Sequence, residues 1–406
     1  MEPLLYLPHR VPYPPNKGDK IRTYHLLRYL SRHYRVYLGT FADLAEDRAH
    51  EGALRQWCAE VRLIPLSPLR ARARCTAGLL RGEPLSLAYY RSAELQQWVD
   101  RVVAEHGIGK AVTFSSMMTM YFDRPGAPRL VADYCDVDSQ KWAQYAEQRG
   151  WPASMIYGRE ARTLLSFERK MAARAAACTF VSSAEAELFV RLAPECADRV
   201  HAIGNGVDSE YFSPQPGRPS PYPAGELPIV FTGAMDYWPN VDAVAWFARE
   251  VMPILAAAQP QARFYIVGMN PAPTVSALAG ARVVVTGRVA DVRPYLQHAR
   301  VVVAPLRVAR GVQNKVFEAM SMARPVVVSA AVAQGIHGAP LLEFDIAADA
   351  AEFARKVEAL LDPAAGDEMG RRARRRVLDD YDWDARLAGF GALLDAAPAR
   401  RARANG

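Results

Sequence analysis

The chain has 406 residues, half of them apolar and 23% charged, with a formal net charge of +7. That length exceeds one ordinary hydrophobic core and fits two globular domains of roughly 200 residues each. The charge excess is mild and spread over both halves, which argues against the concentrated basic face of a nucleic-acid binder, and no apolar run reaches the roughly 20 residues that span a bilayer.

The opening PLLYLP (3–8) reads as a buried strand, and the Pro-interrupted start MEPLLYLPHRVPYPP is too short in apolar residues for a signal peptide, so a cytoplasmic protein is expected. A Pro/Gly loop and an amphipathic helix near Lys20–Arg32 follow. RVYLGTF (35–41), a helix near Glu46–Ala59, and VRLIPL (61–66) come next. KAVTF (110–114), RLVADY (129–134), ACTFVSS (177–183) and VHAIG (200–204) continue the series, with Ser182–Ser183 capping a helix. Strands alternating with helices imply a parallel sheet covered on both faces. SPQPGRPSPYPAGELP (213–228) is dense in Pro, Gly and Ser and reads as a linker. The α/β rhythm then restarts with PIVFTG (228–233), a helix over Asn240–Ala258, and the apolar strands ARFYIVG (262–268), ARVVVTG (281–287), ARVVVAP (299–305) and RPVVVSA (324–330). From about Ala348 the pattern is helical and Arg-rich.

The expected organisation is therefore α/β, with two Rossmann-like parallel-sheet domains facing an interdomain cleft. A first domain spans 1–212, a linker 213–227, a second domain 228–378, and a C-terminal helix (379–406) returns toward the first domain. Ligands bind such sheets at the carboxyl ends of their strands. The five cysteines are scattered and never spaced as CxxC, and the eight histidines lack metal-ligand spacing. No disulfide framework and no required metal or cofactor is expected.

Chemistry concentrates in PLRVARGVQNKVFEAMSMARPVVVS (305–329), a strand, a glycine loop and a helix entered near Asn314. A helix N-terminus offers free N–H groups and partial positive charge, Gly311 permits close backbone approach, and Arg310 and Lys315 add full charges. Together they suit a diphosphate, while Glu318, one turn into the helix, can accept hydrogen bonds from sugar hydroxyls. The first-domain loop PPNKGDKIR (14–22) is the mirror element: Gly18 can approach a phosphate, and Lys17, Lys20 and Arg22 add charge. It reads either as a substrate contact or as a basic surface turn. LVADYCDVDSQKW (130–142) places Asp136 and Asp138 after a strand, suited either to orienting an acceptor hydroxyl and moving a proton or to capping a helix. PLSPLRARARCTAGLLRG (65–82) is a basic amphipathic helix, either a solvated face or one that lies on an anionic membrane.

Lys315, Glu318-Ala319-Met320 and Pro325-Val326-Val327 resemble the K-x-x-E-A-M helix and P-V-V strand of glycosyltransferase family 4, which has the GT-B fold. NGVDSEYFSP (205–214), FTGAMDYWPNVDAVAWF (231–247), VTGRVADVRPYLQHARVVVAPL (285–306) and YDWDA (381–385) resemble further passages of that family. PHRVPYPPNKGDKIRTYHLLRYL and DVDSQKWAQYA (136–146) resemble its subgroup associated with exosortase/PEP-CTERM exopolysaccharide systems. The resemblance implies a retaining transferase that moves a sugar from a UDP- or GDP-type donor to a glycan or lipid-linked acceptor. It implies donor contacts at Gly233, Asn240, Arg288, Gly311, Asn314 and Glu318, with Arg310 and Lys315 on the diphosphate. Two departures stand out. The first of the family's two donor-loop glutamates is replaced by Arg310, and the loop Gly233–Asn240 lacks the usual Arg–Lys pair, for which Arg310, Lys315 and Arg288 substitute. A nucleotide-sugar epimerase of the same architecture and a non-catalytic sugar-nucleotide-binding protein are the alternatives.

Overall fold

The computed structural model describes residues 1–15, 18–148, 150–308, 313–334, 336 and 343–396. Contacts divide the chain into two units, Met1–Gly204 with Leu387–Gly406, and Asn205–Arg386. The NGVDSEYFSP passage, expected to close the first domain, thus belongs to the second.

The first unit is built on a seven-stranded parallel sheet. Its strands are β1 (Pro3–Pro8), β2 (Arg35–Ala42), β3 (Glu60–Pro65), β4 (Lys110–Phe114), β5 (Arg129–Cys135), β6 (Ala177–Phe180) and β7 (Val200–Ala202), in the order β3-β2-β1-β4-β5-β6-β7. The central strands are apolar along their whole length because both faces are covered: Leu4, Leu5, Tyr6 and Leu7 are all fully buried. The order reverses at β1, which pairs with β2 on one side and β4 on the other. The expected helix over Glu46–Ala59 is shorter, a 3-10 segment Ala45–His50 followed by Glu51–Leu54. The helix Trp383–Asp395 packs its end on this unit, where Phe390 is buried and Lys110 binds Asp395 at 2.6 Å.

The second unit repeats the plan with six parallel strands: β8 (Leu227–Thr232), β9 (Ala262–Val267), β10 (Val283–Gly287), β11 (Val301–Ala304), β12 (Val326–Ser329) and β13 (Asp345–Ala347), ordered β10-β9-β8-β11-β12-β13. β13 was not apparent in the sequence, being three residues long with no apolar run of its own. The helical run over Trp238–Ala258 contains a π turn at Phe247–Val251, where the Met252 N–H reaches the Phe247 carbonyl. Pro253 explains it: a residue without an N–H cannot continue the ordinary ladder, and the helix widens by one residue before it. The reversal of order here falls between β8 and β11.

Candidate functional site

In each unit the crevice expected for a ligand opens at the carboxyl edge where the strand order reverses. In the second unit that edge is formed by the ends of β8 and β11. Its backbone is packed so closely that side chains are excluded. A Cβ on Gly268 would lie 1.7 Å from the Gly233 carbonyl oxygen, and one on Gly233 would lie 2.7 Å from Asn240 Nδ2 and 3.2 Å from Lys315 Nζ. The close approach is tied by the Gly233 N–H to the Val267 carbonyl (3.1 Å) and by the Gly268 N–H to the Gly287 carbonyl (3.2 Å).

The helix Asn314–Ser321 delivers Lys315 and Glu318 to this edge. Val316, Phe317, Ala319 and Met320 bury its other face, which fixes the orientation. Its N-cap residue, Gln313, supplies no side-chain cap to the first turn. Lys315 Nζ donates to Asn240 Oδ1 at 2.6 Å and sits 4.2 Å from the centre of the Phe231 ring. Asn240 in turn donates from Nδ2 to the Ala234 carbonyl at 2.9 Å. Asn240 is therefore a buried bracket that aims the lysine. No carboxylate ion-pairs with Lys315 among the described residues. Burial lowers its pKa to about 7, against the weaker pull of Glu318. Burial raises Glu318 to about 7, with Lys315 opposing. Arg288 follows Gly287 at the end of β10 and is exposed. Asn314 opens the helix. Arg310 and Gly311 lie outside the described residues.

The first unit's carboxyl edge differs in charge. The loop 14–22, expected to be either a substrate contact or a basic surface turn, directs two of its cations inward. Arg22 is 1% exposed and grips Asp133 with Nε at 2.7 Å from Oδ2 and Nη2 at 3.0 Å from Oδ1, while Thr179 Oγ1 donates to the same carboxylate at 2.9 Å. Lys20, 5% exposed, is held by Asp47 Oδ1 at 3.0 Å. Arg22 is thus a structural tie between the helix Gly18–His33 and β5, correcting its expected role as a substrate contact. Gly18 begins that helix, and Lys17 lies outside the described residues.

Asp136 and Asp138 stand beyond β5, where Cys135 takes a positive φ of 67° and the register to β6 shifts. Ser115, after β4, takes φ 77°. Non-glycine residues held in this region carry backbone strain, a feature that gathers at functional sites. Lys141 Nζ bridges Asp136 Oδ2 (2.8 Å) and Asp138 Oδ1 (3.2 Å), and Ser115 Oγ lies 3.4 Å from Asp138 Oδ2. Burial raises the pKa of Asp138, with Lys141 opposing. Beneath it Glu168, fully buried, accepts from Ser116 Oγ at 3.1 Å and Ser139 Oγ at 2.5 Å. Burial, and next the Asp138 charge, lift Glu168 to about 8.

Sequence reasoning missed His9 and Arg10, directly after β1. The His9 ring stacks on Phe114 (centroids 5.6 Å apart, 11° between planes) and meets Tyr90 edge-on at 5.7 Å. Its Nε2 is 3.8 Å from Asp19 Oδ2, and its Nδ1 is buried with no hydrogen-bond partner among the described residues. Burial, then the Arg10 charge, lower its pKa to about 4. Arg10 lies between Asp19 (3.1 Å) and Asp43 (3.0 Å). Position after the first strand was the one available signal, and a lone His-Arg pair carries little on its own. Among the described residues no cluster of His, Cys, Asp or Glu has the makings of a metal site.

Residues 226–363 match the family described as Glycosyl transferases group 1. The match falls within the second unit, and the chain is a glycosyltransferase. Comparison with curated proteins returns no match. Among solved structures, Anabaena HepE in complex with UDP is similar with a TM-score of 0.64 at 16% identity, covering 98% of this chain and 100% of its own. Sucrose-phosphate synthase from Thermosynechococcus elongatus gives 0.63 at 17% identity, covering 97% and 98%. WaaG, a glycosyltransferase involved in lipopolysaccharide biosynthesis, gives 0.56 at 15% identity, covering 97% and 100%. The fold is GT-B. No helix among the described residues is long and apolar enough to cross a membrane.

Proposed function

We propose that this glycosyltransferase is a retaining enzyme of the family 4 type, taking a UDP- or GDP-sugar donor and serving exopolysaccharide assembly from the cytoplasmic side. The observation that carries the reading is Lys315: a cation bracketed by Asn240 at 2.6 Å, with no carboxylate ion pair among the described residues, at the carboxyl edge of a Rossmann-like sheet. The charged form of a half-buried amine without an ion pair is costly, and an anionic ligand restores it. The donor diphosphate is that ligand, with the helix end at Asn314 and the exposed Arg288 adding positive potential. Glu318 holds the ribose hydroxyls. Stabilising the departing diphosphate is electrostatic work, and the acceptor proton leaves with it or through Asp136 and Asp138. HepE was crystallised with UDP and with UDP-glucose, which favours a uridine donor.

A lipid-linked acceptor is favoured by an exposed helix of the first unit. The helix Pro68–Leu80 buries only Ala71 and Gly78 and leaves Leu69 (78%) and Leu80 (86%) exposed beside Arg70, Arg72 and Arg81. Arg159 ties this helix, through the Leu79 carbonyl, to the helix that carries the exposed Met155 and Ile156. Apolar side chains ringed by arginine suit the surface of an anionic bilayer.

The test is a thermal-shift screen against UDP-, GDP-, ADP- and dTDP-sugars, with and without EDTA, beside Lys315→Ala and Glu318→Ala. A ligand at about 100 times its Kd adds about 2.7 kcal/mol to the stability. Stabilisation of the wild type in EDTA and of neither variant supports the donor site. A folded protein that no nucleotide-sugar stabilises defeats the reading.

A further inference from the structure

At the amino edge of the second unit's sheet, opposite the edge that holds Lys315, the starts of three neighbouring strands meet an open cavity of about 480 Å³. The Arg300 N–H donates to the Pro228 carbonyl at 2.8 Å and the Val302 N–H to the Pro325 carbonyl at 3.0 Å, which ties β8, β11 and β12 into its floor. Its wall is the segment 220–226, pinned beside the helix Arg293–Gln297. Tyr222 Oη donates to the Tyr295 carbonyl at 2.6 Å, Gln297 Nε2 to the Gln215 carbonyl at 2.9 Å, and His298 Nε2 lies 2.8 Å from the Arg218 carbonyl. A strand of 6 residues spans roughly 20 Å, so the cavity and Lys315 stand at opposite ends of the sheet and share no residue.

Two arginines stand side by side on this floor. The ladder pairs Val302 with Val326, and two residues back along the same parallel register Arg300 falls opposite Arg324. Paired positions on neighbouring strands lie about 4.8 Å apart with their side chains on one face, an unfavourable arrangement for like charges. Both arginines line the cavity, and neither has a carboxylate within ion-pair distance among the described residues. Arg324 instead donates through Nε to the Met322 carbonyl and through Nη1 to the Ala299 carbonyl, each at 3.3 Å, which fixes its guanidinium. Burial lowers the pKa of Arg324, Asp367 opposes, and the Arg300 charge adds to the lowering. The carboxylate of the lining, Glu226, is engaged elsewhere, by the Tyr265 hydroxyl and by Arg263 at 3.8 Å.

We infer that this cavity is a second ligand site, separate from the donor edge, and that it takes the phosphate monoester of a small sugar with its phosphate between Arg300 and Arg324. A phosphate accepts from two guanidinium groups at once and replaces their repulsion with charge-assisted hydrogen bonds. The cavity has the size of a small-molecule site, with room for a hexose beyond the anion. A sugar is preferred to a nucleoside because the lining tyrosine, Tyr222, is already packed edge-on against Tyr265 and Tyr295 and leaves no platform for a base. Ser220, Gln297 and His298 complete a polar lining suited to hydroxyls. None of this depends on the donor reading.

The experiment is calorimetry of the full chain with glucose 1-phosphate, inorganic phosphate, methyl α-glucoside and UMP, on the wild type, Lys315→Ala and Arg300→Ala. Glucose 1-phosphate is expected to bind the wild type and Lys315→Ala alike, and Arg300→Ala about tenfold or more weakly, since one of two charge-assisted anchors is gone. Inorganic phosphate is expected to bind more weakly than the ester, and methyl α-glucoside, which lacks the anion, not detectably. Arg300 is exposed and its removal takes a like charge away from Arg324, so this variant should fold. Should it not, Arg300→Gln serves, with the same loss expected. Glucose 1-phosphate binding that is lost in Lys315→Ala, or kept in a folded Arg300 variant, places the ligand elsewhere and overturns the inference. No binding to the wild type, inorganic phosphate as tight as the ester, or UMP tighter than glucose 1-phosphate on Lys315→Ala overturns it as well. A chain that takes glucose 1-phosphate through Arg300 and ignores every nucleotide-sugar leaves this site standing and removes the donor reading instead.

Discussion

Donor binding should take up a proton, and Lys315 is the group that receives it. With its pKa lowered to about 7 by burial, about three quarters of the free protein has a neutral amine at pH 7.5. A diphosphate seated against Nζ restores the charged form and returns the pKa toward its ordinary 10.5, so each site binds about 0.75 proton from solvent at that pH. Glu318 works in the other sense. Its pKa of about 7 falls when its carboxylate accepts ribose hydroxyls, which releases a proton, but above pH 7.5 it is already largely ionised. The window from pH 7.5 to 9 therefore isolates the lysine. Over it the Kd for the donor should rise about twentyfold, or about 1.8 kcal/mol. Calorimetry in buffers of low and high ionisation enthalpy reads the proton count directly, and a titration series across the window reads the slope. Lys315→Arg, whose guanidinium stays charged, should bind with a flat profile and no buffer dependence. A wild-type Kd that is level from pH 7.5 to 9, with a buffer-independent enthalpy, would refute the reasoning.

Three further outcomes are expected. Arg22→Ala leaves the Asp133 carboxylate buried with Thr179 as its remaining described partner, and should cost about 3–5 kcal/mol in denaturant unfolding, much of it recovered in Arg22→Met with Asp133→Leu. Gly268→Ala places a methyl 1.7 Å from the Gly233 carbonyl oxygen and should abolish the nucleotide-sugar thermal shift, whereas Gly109→Ala, with open space around it, should leave the shift intact. Glu168 binds its proton more tightly folded, at about 8 against an ordinary 4.5, so its contribution is complete below about pH 4.5 and is lost as pH rises through 8. Glu168→Gln, uncharged throughout, should gain on the wild type in melting temperature from pH 5 to 9.

Much of the fold was legible because parallel strands covered on both faces are continuously apolar, and runs such as VVVTG and VVVA stand out from their helices. Lys315 and Glu318 were legible as well, since one short helix carries both and a local motif fixes their spacing. What failed was pairing across distance. Arg22 and Asp133 are 111 residues apart, and nothing local says that a Lys-Gly-Asp-Lys-Ile-Arg loop spends its arginine on β5. Lys20 and Asp47 present the same problem over 27 residues. Asn240 was read as a ligand contact, and its place as the acceptor for Lys315 Nζ depends on a contact 75 residues away. A basic loop is legible as composition, but whether its charge is free is a property of the fold.

That distinction separates the two units. Both sheets end in the same kind of crevice, and helix ends lend each some positive potential. What separates them is whether the protein supplies the counter-charge itself. At the second unit no carboxylate ion-pairs with Lys315 among the described residues and Glu318 pulls on it only weakly, so the lysine is largely neutral, and an anionic ligand would gain as it restores the charge. At the first unit carboxylates pair with the described cations Arg10 and Arg22, so these become struts. A carboxylate placed within reach of Lys315, as in the isosteric Asn240→Asp at the position 2.6 Å from Nζ, should raise the lysine pKa and abolish nucleotide binding together. Amine titration by NMR and the thermal shift measure the two effects separately, and a variant that raised the pKa yet still bound the nucleotide would break the link between them.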